Sequence, residues 1–132
     1  MIKFNELKPG DYVYARYEGE LWEGIVNELN AEDKEVCVQT EVQDFWFKPE
    51  DLSPIPLTED QLVKLNFEKE VLGQGGIKYK KGPFRIQLPG EGAFGDFEIW
   101  YREDRRHIKN GLNVHELQNH YYDMTKVELG RN

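Results

Sequence analysis

The reading of this chain turns on Leu112-Asn113-Val114-His115-Glu116-Leu117-Gln118-Asn119-His120-Tyr121-Tyr122-Asp123-Met124. Asn113 is a strong N-cap type, because its side-chain oxygen can accept from an unpaired first-turn N–H. Glu116, three residues on, can reach back to the Asn113 N–H and complete a capping box, and Leu112 and Leu117 are placed to staple the helix entry. Val114, Leu117, Tyr121 and Met124 recur at spacings of three, four and three, one apolar stripe of a helix. A helix this short is marginal alone in water. It needs a sheet to lie on.

The preceding residues supply that sheet. Ile77 and Tyr79 alternate with Lys78 and Lys80, Phe84, Ile86 and Leu88 with Arg85 and Gln87, and Phe97, Ile99 and Tyr101 with Glu98, Trp100 and Arg102. A period of two predicts an antiparallel meander with one buried face. Gly73-Gln74-Gly75-Gly76 and Pro89-Gly90-Glu91-Gly92-Ala93-Phe94-Gly95 interrupt it, and the glycines of the second break predict the most mobile internal segment. An extended piece, Arg106 to Lys109, leads through Asn110-Gly111 into the capped helix, and the tail Val127-Glu128-Leu129 is expected to fold back onto the core. Upstream, Leu57-Thr58-Glu59-Asp60-Gln61-Leu62 repeats the same cap logic, predicting a helix from Glu59 to Leu65 that stops at Asn66. Residues 56–132 thus read as an antiparallel meander with N- and C-terminal helices on one face.

Residues 1–55 read differently. Short strands (Tyr12 to Tyr17, Leu21 to Leu29, Glu35 to Thr40 and Phe45 to Phe47) are separated by turns, and Lys48-Pro49-Glu50-Asp51-Leu52 looks like one helical turn. Strands at roughly ten-residue spacing predict a small all-β barrel. Lys8-Pro9-Gly10-Asp11, Trp22-Glu23-Gly24-Ile25-Val26 and Pro49-Glu50-Asp51-Leu52-Ser53-Pro54-Ile55 resemble the SH3-like or Tudor-like small barrel. That resemblance implies a fold and no ligand. The expected class is mostly β (α+β): an acidic N-terminal SH3-like barrel over 1–55, a seam at Pro54-Ile55-Pro56, then the sheet with two short helices on one face.

A second resemblance covers the later half. Pro56-Leu57-Thr58-Glu59, Leu65-Asn66-Phe67-Glu68, Val114-His115-Glu116-Leu117-Gln118-Asn119, Tyr121-Tyr122 and Glu128-Leu129 resemble an uncharacterised family of short proteins from gut Bacteroidota and their phages and mobile elements. The resemblance implies an accessory protein of phage or prophage origin and no assigned activity.

The 132 residues suffice for one ordinary domain or two very small ones, and 39% hydrophobic and 13% aromatic content can pack a core. No apolar run approaches the ~20 residues of a membrane span. Met1-Ile2-Lys3-Phe4-Asn5-Glu6 has no secretory character, and the single Cys37 fits a reducing compartment, so a soluble cytoplasmic protein is expected. Residues 1–56 hold five Lys/Arg against thirteen Asp/Glu, whereas residues 57–132 hold twelve of each. The whole net charge of −8 therefore lies in the first half, whose field repels phosphate backbones.

Little in the sequence carries chemistry. His115 and His120 are five apart, about 140° round a helix, so one ion cannot take both. Glu116 and His120 share a face with no second pair to complete a site. Cys37 reads as a small buried hydrophobe. Gly73-Gln74-Gly75-Gly76 lacks the Lys and Ser/Thr of a phosphate loop. No carboxylate pair is marked as acid and base. The expectation is no enzyme, no catalytic residue, no metal and no cofactor.

Binding candidates remain. Tyr12, Tyr14, Tyr17, Trp22, Phe45, Trp46 and Phe47 exceed what a barrel of this size can bury. Of these, Tyr12, Tyr14, Trp22, Phe45 and Trp46 are candidates for an aromatic cage taking a cationic or peptide ligand, and the alternative is a Tyr-rich core and packing surface. On the meander, Lys78, Lys80, Arg85, Trp100 and Arg102 are expected to share the face opposite the helices, where a Trp among cations can stack bases, where the acidic barrel docks, or where charges are simply solvated. The leading expectation is a non-enzymatic protein-interaction or adaptor protein. The alternatives are a nucleic-acid-associated factor using the basic sheet face, or an acidic inhibitor of a host enzyme.

Overall fold

The alternating segments form two antiparallel sheets of five strands each, and strand outweighs helix 44% to 18% in a computed structural model that describes residues 2–131. The chain divides into two units, Met1–Ile55 and Pro56–Asn132.

In the first unit, β1 (Tyr12–Tyr17), β2 (Glu20–Asn30), β3 (Glu35–Thr40), β4 (Asp44–Phe47) and β5 (Leu52–Ser53) lie in the order β4-β3-β2-β1-β5. The entry turn is held by Asp11, fully buried, whose carboxylate accepts from the Lys8 N–H and from Lys8 Nζ, both at 3.0 Å. Glycine is needed at position 10, at φ 97°, and its N–H donates to the Val26 carbonyl at 2.8 Å. Glu18 and Gly19 both take positive φ (51° and 80°), the turn geometry that matches strand twist in a two-residue hairpin. Val13, Ala15, Val26, Val36, Val38, Phe47 and Leu52 form one core with Ile2 and Leu7. Gly24 lets β2 and β3 approach, since a Cβ there would meet Val38 Cγ1 at 2.5 Å and the Gln39 carbonyl oxygen at 2.9 Å. A register shift between Val26 and Glu28 bends β2. A 3-10 turn at Pro49–Asp51 delivers β5 to β1, pairing Ala15 with Leu52. Among the described residues β4 and β5 do not pair, so the hydrogen-bonded ladder stays open.

In the second unit, α1 (Glu59–Lys64) is followed by β6 (Glu68–Val71), β7 (Ile77–Lys81), β8 (Phe84–Leu88), β9 (Asp96–Tyr101), β10 (Asp104–Lys109) and α2 (Val114–Thr125), with strand order β10-β9-β8-β7-β6. At the helix starts the Thr58 hydroxyl accepts from the Gln61 N–H at 3.3 Å, and Glu116 accepts from both the Asn113 N–H and Asn113 Nδ2 at 2.9 Å. Asn66 takes the left-handed φ of 68°, ending α1 one residue short of the expected Leu65. The Leu57 N–H donates to the Leu112 carbonyl at 3.1 Å, which ties the approaches to the two helices together. Ile77, Tyr79, Phe84, Ile86, Leu88, Phe97 and Ile99 are buried, as are Leu62, Leu65, Val114, Leu117 and Tyr121 on the helices and their ends. The Tyr121 ring lies 4.8 Å from that of Phe84, which seats α2 on the sheet. Leu129 is buried and its carbonyl accepts from Gln118 Nε2 at 2.9 Å, so the tail returns to the core.

Strand β6 departs from the sequence reading. Glu68-Lys69-Glu70-Val71 is exposed throughout and has no alternation to read, yet it pairs with β7 from Glu68↔Lys80 to Val71↔Ile77. The extended piece before α2 also starts earlier, at Asp104 rather than Arg106. Pro89–Gly95 is less bare than its glycines imply: Phe94 is half-buried, its ring 6.2 Å from Tyr79 and 6.3 Å from Phe97.

Candidate functional site

The five aromatic candidates of the first unit divide between two faces. Tyr12 and Tyr14 alternate with buried Val13 and Ala15, so they occupy the face away from the core, opposite Ile25 and Glu23 of β2. Trp46 stands between Phe45 and Phe47, opposite Cys37, with 47% of its surface exposed. Phe45 and Trp22 lie on the core side, Phe45 opposite Val38 and Trp22 opposite Ala15. They are joined there by Tyr17, whose ring stacks on Phe45 with centroids 4.5 Å apart and planes at 25°. Three strand-to-strand steps separate β1 from β4, about 14 Å in a flat sheet. The stacked rings therefore require the sheet to curl strongly about its core. Trp22 sits one diagonal step from Tyr17, within reach of a long side chain. Tyr17 is 37% exposed, and Glu18 and Asp44, adjacent in the chain to these rings, and Glu20, paired with Tyr17 across the hairpin, are exposed as well. The result is an aromatic pair open to solvent in acidic surroundings.

On the second unit's sheet, the face away from the helices is ordered by strand register. One row runs Glu68, Lys80, Arg85, Trp100, Arg105 from β6 to β10, and the next runs Glu70, Lys78, Gln87, Glu98, His107. Lys78, Lys80, Arg85 and Trp100 thus do share a face. Arg102 does not. It lies in the β9–β10 turn at φ 56°, its guanidinium 5.1 Å from the Tyr101 ring centroid. The cation that occupies the expected place is Arg105, which the sequence reading passed over. Arg85 and Arg105 bring their guanidinium carbons within 4.8 and 4.7 Å of the Trp100 ring centroid, a cation–π arrangement from both neighbouring strands. Glu70 approaches Lys78 at 3.7 Å and Lys80 at 3.9 Å, so the lysines are partly neutralised.

His115 and His120 both lie on α2. His115 is buried in α2. His120 Nδ1 accepts from Arg106 Nη1 at 2.9 Å, and Arg106 also donates to Asp123 at 2.7 Å and Asp104 at 3.1 Å. Burial, then the adjacent guanidinium, holds His120 below the ordinary histidine range, and the hydrogen bond from Arg106 holds Asp123 below the ordinary carboxylate range. On the helix side of the sheet, Glu59 accepts from the Tyr79 hydroxyl at 2.8 Å and pairs with Lys69 at 2.6 Å, and Lys69 also meets Glu91 at 2.6 Å. Cys37 is buried, which raises its thiol pKa. Among the described residues no cluster of three or more His, Cys, Asp or Glu is placed to hold a metal ion. None of the described helices is long and apolar enough to cross a membrane.

No family model, no curated protein and no solved structure matches the chain.

Proposed function

We propose that this is a non-enzymatic protein-interaction module whose first unit is an SH3-like barrel and takes a cationic segment of a partner protein at Tyr17 and Phe45. The observation that carries the reading is the stacked Tyr17–Phe45 pair, solvent-accessible at the end of a curled sheet. The strand order β4-β3-β2-β1-β5, the curl and the 3-10 turn before β5 support the barrel assignment. The charge balance of five basic against thirteen acidic residues over 1–56 favours a basic partner and steers it inward. A lysine or arginine head over an aromatic face gains about 0.5–1 kcal/mol at an exposed site. The resemblance of the helix motif to phage and mobile-element proteins fits an accessory role, in which the partner is a host protein.

The experiment is a titration of the full chain with hexalysine, followed through the ring signals of Tyr17 and Phe45. Saturable shifts at both rings, weakened about two- to fivefold by Tyr17→Ala, are expected from the cation–π magnitude. Shifts spread evenly over the acidic surface, with no effect of Tyr17→Ala, would leave only non-specific attraction.

A further inference from the structure

The row through Trp100 differs from the rest of its sheet face. Most cations of the second unit's sheet are committed: Lys69 to Glu59 and Glu91, Arg106 to Asp104 and Asp123, Lys78 and Lys80 to Glu70. Arg85 and Arg105 are different. Among the described residues neither makes an ion pair, and both rest on the Trp100 ring instead. Arg85 Nε is buried there without a hydrogen-bond partner. An arginine stacked on an aromatic ring has its stem and plane fixed, so its terminal N–H groups are presented with little further loss of freedom. Two such groups, one from each strand flanking β9, lie against a single indole.

We infer that Arg85, Trp100 and Arg105 form a clamp for the carboxylates of an acidic peptide segment from a protein partner. A guanidinium fork matches a carboxylate in a bidentate fashion, and charge-assisted hydrogen bonds of this type are about twice as strong as neutral ones. The neighbours on the face select against a nucleic acid. Glu68 lies across from Lys80, while Glu70 and Glu98 occupy the next row, so a continuous phosphate backbone laid over the sheet meets carboxylates beside the clamp. The indole faces that would stack bases are also covered by guanidinium groups. An extended peptide avoids both problems, since it directs every second side chain to one face, about 6.6–6.8 Å apart. It can place two carboxylates at the clamp and none beside the glutamates.

The test is a titration of the isotope-labelled full chain with hexaglutamate, and separately with a ten-residue oligothymidylate, observing the Trp100 indole N–H. Hexaglutamate is expected to shift that signal. Arg85→Gln and Arg105→Gln should each weaken binding about tenfold or more, the loss of one charged hydrogen bond. Lys78→Gln, on the same face but already paired, should change it less than twofold. Arg85→Lys keeps the charge and the apolar stem yet removes the fork, so it too should bind more weakly, and it covers the case of a glutamine variant that folds poorly. Equal weakening by Lys78→Gln, an unshifted indole, or tighter binding of the oligothymidylate at the same signals would overturn the clamp.

Discussion

The two units bury the same element, a five-stranded antiparallel sheet, by different means. The first sheet bends around its own core, where Val13, Ala15, Val26, Val36 and Val38 pack with Phe47 and Leu52, and the glycine at 24 lets two strands approach. The second lays α1 and α2 over one face, and the gap takes large side chains such as Tyr79, Phe84 and Phe97. A sheet bent over its own core brings distant strands together, whereas a sheet roofed by helices buries its rings beneath them. The consequence for recognition differs too. Curling brings Tyr17 of β1 to Phe45 of β4 at one end, whereas the roofed sheet leaves a whole face for the Lys80–Arg85–Trp100–Arg105 row.

That contrast can be broken at several points. The largest effect is expected from Leu117→Ala, which removes a fully buried side chain beneath α2 and should cost about 2–5 kcal/mol. Loss of amide protection in α2 and β8, monitored by hydrogen exchange, checks that the helix roof is what holds this unit. Gly24→Ala should cost about 1–3 kcal/mol by forcing β2 and β3 apart. Its signature is faster exchange in β2 and β3, and a neutral effect would mean that the first sheet is not tightly bent. Asn113→Ala comes next, about 1 kcal/mol for a lost N-cap, read from the thermal midpoint.

The His120 network gives a pH-dependent contrast. Its folded pKa is depressed, so the unfolded chain binds a proton first as pH falls. Stability contributed through His120 is therefore present above the ordinary histidine value of about 6.5 and is lost as pH falls from there toward the folded value. Denaturant midpoints should decline over that window in the parent chain and decline less in His120→Gln, which still accepts from Arg106. The smallest effect is expected at the surface: Glu70→Gln should change stability by ~0–1 kcal/mol, because its pairs with Lys78 and Lys80 are solvated.

What the sequence made legible was local. The α2 cap, stripe and tail, the α1 cap and the alternating strands were readable because each signal lies within a few residues. Strand β6 was not, because Glu68-Lys69-Glu70-Val71 is an exposed edge strand, where charge rather than alternation is the rule. Arg105 was missed in favour of Arg102 because the phase of β10 depends on the two-residue turn at Arg102-Glu103. That turn sets Asp104 opposite Tyr101 and hence Arg105 opposite Trp100. A non-glycine residue at positive φ gives no warning of it. The division of the cage residues follows the same logic: Tyr12 and Tyr14 were readable as one face of β1, but which distant aromatic would meet Tyr17 depends on how far the sheet bends.

The bend is the claim on which the first unit's site rests, and a double-mutant cycle on Tyr17 and Phe45 tests it most directly. Stabilities of the parent chain, Tyr17→Ala, Phe45→Ala and the double variant are measured under one set of conditions. Stacked rings predict a coupling of about 0.5–1.5 kcal/mol beyond additivity. Additive losses would contradict the account, since β1 and β4 would then not meet across the core.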